Sequence, residues 1–93
     1  MNLVGPVLSA GAAADAVIAA LRGLNATLET VDRGAYVRVL APGECRVTRA
    51  AIEQQLGGPF HLPADLERIM PSFQGRLEID EDHARWFAGG DSP

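Results

Sequence analysis

Apolar residues recur along the chain with two periods, and each run is closed by a glycine, proline or acidic turn. Leu3 to Ser9 is apolar and partly β-branched, with Pro6 inside it. Proline cannot donate to a ladder, so this run predicts an edge strand or an extended entry segment, ended by Gly11. From Ala12 to Leu24 the larger residues Val17, Ile18, Leu21 and Leu24 fall on one helical stripe, with alanines filling the remainder. Gly23 and Asn25 stop that helix. Thr27 to Val31 predicts a strand, Asp32-Arg33-Gly34 a turn, and Ala35 to Leu40 a returning strand with Tyr36, Arg38 and Leu40 on one face. Ala41-Pro42-Gly43 breaks the hairpin, and Glu44 to Val47 gives a further short strand.

The second half is punctuated in the same way. Thr48 is placed to cap a helix from Arg49 to Leu56, with Ile52 and Leu56 four apart on its buried face. Gly57-Gly58 and Pro59 stop it. Pro63 suits the first position of another short helix, in which Leu66, Ile69 and Met70 share a face, and Pro71 closes it. Phe73, Gly75, Leu77 and Ile79 then alternate strictly with Gln74, Arg76 and Glu78, the clearest period-two signal in the chain, and predict one strand with Phe73 in the core. Asp80-Glu81-Asp82 turns the chain, and His83 to Ala88 returns as the partner strand, with Trp86 in the core. The expected fold class is α+β: a single small domain of antiparallel hairpins and two to three short helices in a β-α-β-β-α-α-β-β order. It spans residues 1–93, of which 88–93 are expected to be a frayed tail.

Composition narrows the function classes. Ninety-three residues make one core but leave little room for a deep catalytic pocket. Twelve acids against eight bases give a net charge of −4, and all eight bases are arginine. That balance disfavours nucleic acid and anionic membrane surfaces as partners. Cys45 is the only cysteine, which excludes an internal disulfide and fits a cytoplasmic protein. Neither a signal peptide nor an apolar run of the ~20 residues needed to span a bilayer is expected.

Each candidate chemistry meets a structural alternative. His61, His83, Cys45 and the acids from Glu78 to Asp82 lack metal-ligand spacing, and the acidic run lacks the glycine and closing glutamate of a calcium loop. Ser9, Ser72, Ser92 and Cys45 have no nucleophile elbow, and Cys45 reads as a small core hydrophobe. Leu56-Gly57-Gly58-Pro59 is no phosphate loop, having neither a lysine nor a preceding strand. No catalytic, metal or cofactor-binding residue is therefore assigned. Phe60, and Tyr36 with Arg33 and Arg38, fit either the core or an interaction surface, since tyrosine and arginine are enriched at protein contacts.

Several segments, in order, carry a family resemblance. Val4-Gly5-Pro6-Val7, Asp32-Arg33-Gly34-Ala35-Tyr36-Val37-Arg38, Thr48-Arg49, Ile52-Glu53, Leu56-Gly57, Pro59-Phe60, Phe73-Gln74-Gly75 and Asp80-Glu81-Asp82 resemble the effector proteins of bacterial multicomponent diiron monooxygenases, nearest the toluene and alkene branch. The resemblance implies a non-enzymatic, cofactor-free α+β protein that docks on the large subunit of a diiron hydroxylase. There it would control access of substrate, oxygen and protons, and couple electron input to hydroxylation or epoxidation. It implies a functional complex with a ferredoxin and/or an NADH reductase, and a monomer when free. Carried over by position, the hydroxylase interface comprises Val4, Gly5, Pro6, Asn25, Arg33, Tyr36, Pro59 and Phe60. The alternatives are a ligand-sensing regulatory domain of ferredoxin-like type and, third, a minimal enzyme.

Overall fold

The computed structural model describes residues 2–89. Seven strands and three helices follow one another as β1 (Leu3–Ser9), α1 (Ala12–Leu24), β2 (Glu29–Asp32), β3 (Tyr36–Pro42), β4 (Glu44–Thr48), α2 (Arg49–Leu56), α3 (Ala64–Ile69), β5 (Ser72–Gln74), β6 (Arg76–Ile79) and β7 (His83–Phe87). The strands form two antiparallel sheets, ordered β2-β3-β1-β5 and β4-β7-β6. This is the expected α+β class, with two sheets rather than the single sheet of a ferredoxin-like domain.

The chain passes from one sheet to the other at two glycine kinks. At Gly43 (φ +79°) β3 ends and β4 begins. Its N–H donates to the Asn2 carbonyl (2.8 Å), and its carbonyl accepts from Ala88 N–H (3.0 Å), so both ends of the described chain meet at this corner. At Gly75 (φ +93°) the alternating run that predicted one strand is cut in two. β5 stays with β1 while β6 pairs with β7. A Cβ on Gly75 would lie 2.7 Å from Val4 Cγ1 and 2.8 Å from the Phe87 carbonyl, so the switch of sheets needs glycine both for its dihedral and for space. Phe73, expected in the core, consequently sits on the three-residue edge strand and is 41% exposed.

β1 is also a correction. It lies between β3 and β5, not at an edge. The register with β3 is constant from Leu3↔Pro42 to Ser9↔Tyr36, and its paired positions skip Gly5 and Pro6. The proline therefore occupies a gap in the ladder and costs no bond there. Gly5 makes the gap tight: an added Cβ would stand 2.1 Å from the Val39 carbonyl oxygen.

One core lies between the inner sheet faces and the helices. Val4, Leu8, Val39 and Ala41 from the first sheet meet Ala14, Val17, Ala20 and Leu21 of α1, with Cys45, Val47, Ala84 and Trp86 from the second sheet and Ile52, Phe60, Leu62 and Leu66 from the α2–α3 region. The expected α1 stripe is centred on Val17 and Leu21, with Ile18 and Leu24 at its margins. α2 begins where expected: the Thr48 hydroxyl accepts from Ala51 N–H (3.1 Å), and Gly57 ends the helix in the left-handed region, donating to the Glu53 carbonyl. Of the expected tail 88–93, Ala88 is tied to Gly43, and residues 90–93 lie outside those described.

Candidate functional site

The sheets leave two outer faces whose chemistry differs. On the second sheet, cross-strand pairing sets Glu44, Arg46, Glu78, His83 and Arg85 on one side. Arg85 bridges Glu44 (3.3 Å) and Glu78 (3.4 Å), and its guanidinium stacks 4.2 Å above the centre of the Phe87 ring. His83 lies 3.1 Å from Asp80. Asp80 also accepts from the backbone N–H groups of Asp82 (2.8 Å) and His83 (2.9 Å), and these bonds hold its carboxyl below the usual aspartate range. Glu44, Glu78 and Arg85 are thus matched within the molecule, while Arg46 and Arg76 on the same side are exposed and have no ion-pair partner among the described residues, as on a solvated surface.

The outer face of the first sheet is built differently. Register places Val31, Arg38, Val7 and Ser72 in one cross-strand row. Leu40 lies opposite Glu29, Tyr36 opposite Ser9, and Leu3 opposite Pro42. Tyr36 and Leu3 are 44% and 42% exposed. Arg38 is half-buried between two valines and, among the described residues, has no acidic partner within ion-pair distance. Val7, Tyr36, Arg38 and the segment from Pro71 to Gln74 line a shallow open hollow of about 320 Å³, with exposed Phe73 at its rim. Arg33 projects from the adjoining hairpin tip, where the Asp32 carboxylate accepts from Gly34 N–H (2.8 Å) and Arg33 N–H donates to the Tyr36 carbonyl (2.8 Å).

The residues expected at an interface divide into three groups. Arg33, Tyr36 and Pro59 are exposed. Val4, Pro6 and Phe60 are not; Phe60 is 3% exposed, its N–H held by the Glu53 carboxylate (2.9 Å). Their side chains go to the core because the apolar area of so small a domain is needed there, and Gly5 is occluded by β3. Asn25 has an internal task. Its amide N–H₂ donates to the carbonyls of Leu21 and Arg46 (both 2.8 Å), and its Oδ1 accepts from Arg46 N–H (3.0 Å). It thus closes the C-terminus of α1 and covers the open edge of β4 together. Leu3, Val7, Leu40 and Phe73 were missed as surface residues, and only the face assignment of Tyr36, Arg38 and Leu40 was readable from their alternation.

Among the described residues, no three His, Cys, Asp or Glu side chains converge on a point that would hold a metal. Cys45 is fully buried against Trp86, and burial, with the neighbouring Glu44 charge adding to it, pushes its thiol up to about 12. No described helix is long and apolar enough to cross a membrane.

Comparison with known proteins identifies what carries such a surface. The profile of the MmoB/DmpM family matches residues 2–87. The chain belongs to the MmoB/DmpM family. Among its relatives, the effector subunit of the alkene monooxygenase system of Xanthobacter autotrophicus (strain ATCC BAA-1158 / Py2) is 48% identical over 88 residues, covering 92% of this chain and 86% of that one. A solved phenol hydroxylase–regulatory protein complex contains a chain that superposes with a TM-score of 0.81 at 21% identity, covering 91% of this chain and 97% of that one. At that identity the likeness shows the fold. Within this MmoB/DmpM member, the open sheet face and hairpin tip therefore stand on a fold shared with a chain of that complex.

Proposed function

We propose that this chain is the non-catalytic effector subunit of a multicomponent diiron hydrocarbon monooxygenase. It docks on the hydroxylase and raises the fraction of reducing equivalents that end in hydroxylated or epoxidised product. The observation carrying this reading is the 48% identity, across nearly the whole chain, to an alkene monooxygenase effector subunit. The surface is compatible: exposed Tyr36 and half-buried Arg38 share the outer face of the first sheet beside exposed Arg33, while the core is filled by apolar groups.

Physically, an effector changes its partner only by binding one conformation of it more tightly than another. A free-energy difference of about 3 kcal/mol between the two complexes shifts the hydroxylase equilibrium roughly 150-fold. In this reading the effector works as a cytoplasmic monomer beside a ferredoxin and/or an NADH reductase. Arg33 and Tyr36 contribute directly to the contact, with Pro59 as a further exposed point; Val4, Gly5, Pro6, Asn25 and Phe60 act by fixing the shape of that surface.

The test is a binding titration with the purified diiron hydroxylase of the organism that encodes the chain. Saturable association is expected, weakened by Arg33→Ala and Tyr36→Ala while the melting temperatures stay near the parent value. Absence of association up to a large molar excess would overturn the reading.

A further inference from the structure

The two outer sheet faces make different demands on anything that touches them, and the difference selects a docking face. On the second sheet Arg85 already has two glutamates, so a partner would have to break internal ion pairs to engage it. On the first sheet Arg38 stands in the row Val31-Arg38-Val7, without an acidic neighbour among the described residues. An arginine held half-buried among apolar side chains has part of its desolvation cost met before any partner arrives. Covering it with another apolar surface is favourable only if that surface supplies a carboxylate. The face also carries Glu29, but opposite Leu40 and two residues along β2 from the Arg38 row.

We propose that the outer face of the four-stranded sheet is the hydroxylase-docking face, with Arg38 receiving a carboxylate that the hydroxylase presents within an apolar patch. This rests on the effector reading above. The proposal fixes the partner's chemistry: an acidic side chain flanked by apolar ones, the latter covering Val7, Leu40 and the Tyr36–Phe73 hollow. Four strands of up to seven residues present roughly 14 by 23 Å of plane, less than the ~800 Å² per partner of a standard interface. The contact must therefore continue past the sheet, and the hairpin tip with exposed Arg33 adjoins the Tyr36 end. Arg22, Arg33, Arg46 and Arg76 are likewise without an acidic partner among the described residues but are exposed, so of these arginines Arg38 is the one already partly desolvated.

The experiment measures affinity of the full chain for the purified hydroxylase by calorimetry, alongside circular dichroism and sedimentation of each free variant. Arg38→Glu is expected to weaken binding by at least about 30-fold, as loss of one partner of a desolvated ion pair does. Arg38→Gln should weaken it less. Arg46→Glu, at an exposed arginine on the other sheet with no ion-pair partner among the described residues, should change it by less than about threefold. Tyr36→Ser serves as the second probe of the same face should Arg38→Glu not fold. Folded Arg38→Glu and Tyr36→Ser proteins binding as tightly as the parent would overturn the docking face while leaving the effector reading intact. A parent protein with no affinity for the hydroxylase would overturn both. A parent dimer that Arg38→Glu dissociates would assign the face to a second copy of the chain and overturn the proposed occupant.

Discussion

Replacing Asn25 by alanine separates fold from contact at the position where the two readings differ most. The substitution removes three hydrogen bonds: two donated by the side-chain amide to Leu21 and Arg46 carbonyls, and one accepted from Arg46 N–H. Each is worth about 0.5–1.5 kcal/mol net. The Arg46 groups lie on the open edge of β4 and water can replace the amide there, so the total falls in the lower part of the range, at about 2 kcal/mol. The bond from Asn25 N–H to the Leu21 carbonyl survives and keeps the last turn of α1 closed. For a domain of this size the expected drop in melting temperature is about 8–15 °C. Urea denaturation followed by circular dichroism gives the free energy directly, with an unchanged m value. Asn25→Asp should cost at least as much, because it loses both donated bonds and adds a negative charge at a helix C-terminus. A cost below about 0.5 kcal/mol for Asn25→Ala would refute the clamp. Reduced hydroxylase affinity at unchanged stability would return Asn25 to the contact surface.

Three other outcomes are expected. Gly5→Ala forces a Cβ to 2.1 Å from the Val39 carbonyl oxygen and should abolish cooperative unfolding, whereas Gly43→Ala, at φ +79° in open space, should cost only about 1–2 kcal/mol by the same melts. Cys45, with its thiol pushed up to about 12 by burial, should not react with a chromogenic disulfide at pH 8 until urea unfolds the chain; native-state labelling would contradict the packed core. Asp80, held low first by the Asp82 N–H, contributes stability that is present above the ordinary aspartate pKa and lost as pH falls through its depressed folded value. Asp80→Asn should therefore lower the melting temperature at pH 7 and converge on the parent in acid, once pH has fallen below the depressed carboxyl; a gap that widens in acid would reverse the sign.

Local chemistry was legible in the sequence and packing was not. The Thr48 cap, the Gly57 stop, the Asp32-Arg33-Gly34 turn and the acidic turn at Asp80 all depend on residues within four positions of one another, and each forms as its sequence implies. The misread features depend on distant neighbours. Gly75 looks like one more small residue in an alternating strand until Val4 and the Phe87 carbonyl are found against it. Pro6 argues for an edge until the β3 register is seen to pass over it. Phe73, expected in the core, is left outside on a three-residue edge strand, while Phe60, open between core and surface from its residues, goes to the core as the loop after α2 folds inward through Glu53. Which sheet face stays open is likewise set by where α1 packs. That is why Tyr36 and Arg38 could be assigned to one side of a strand, but not to solvent, from their spacing.

The most direct test of the central claim is product formed per NADH oxidised. The purified hydroxylase and its electron-transfer components are reconstituted with increasing amounts of this chain. The yield is expected to rise and saturate with effector concentration, with no product from the chain and electron donors when the hydroxylase is omitted. A yield and turnover that stay flat past equimolar effector would contradict the claim.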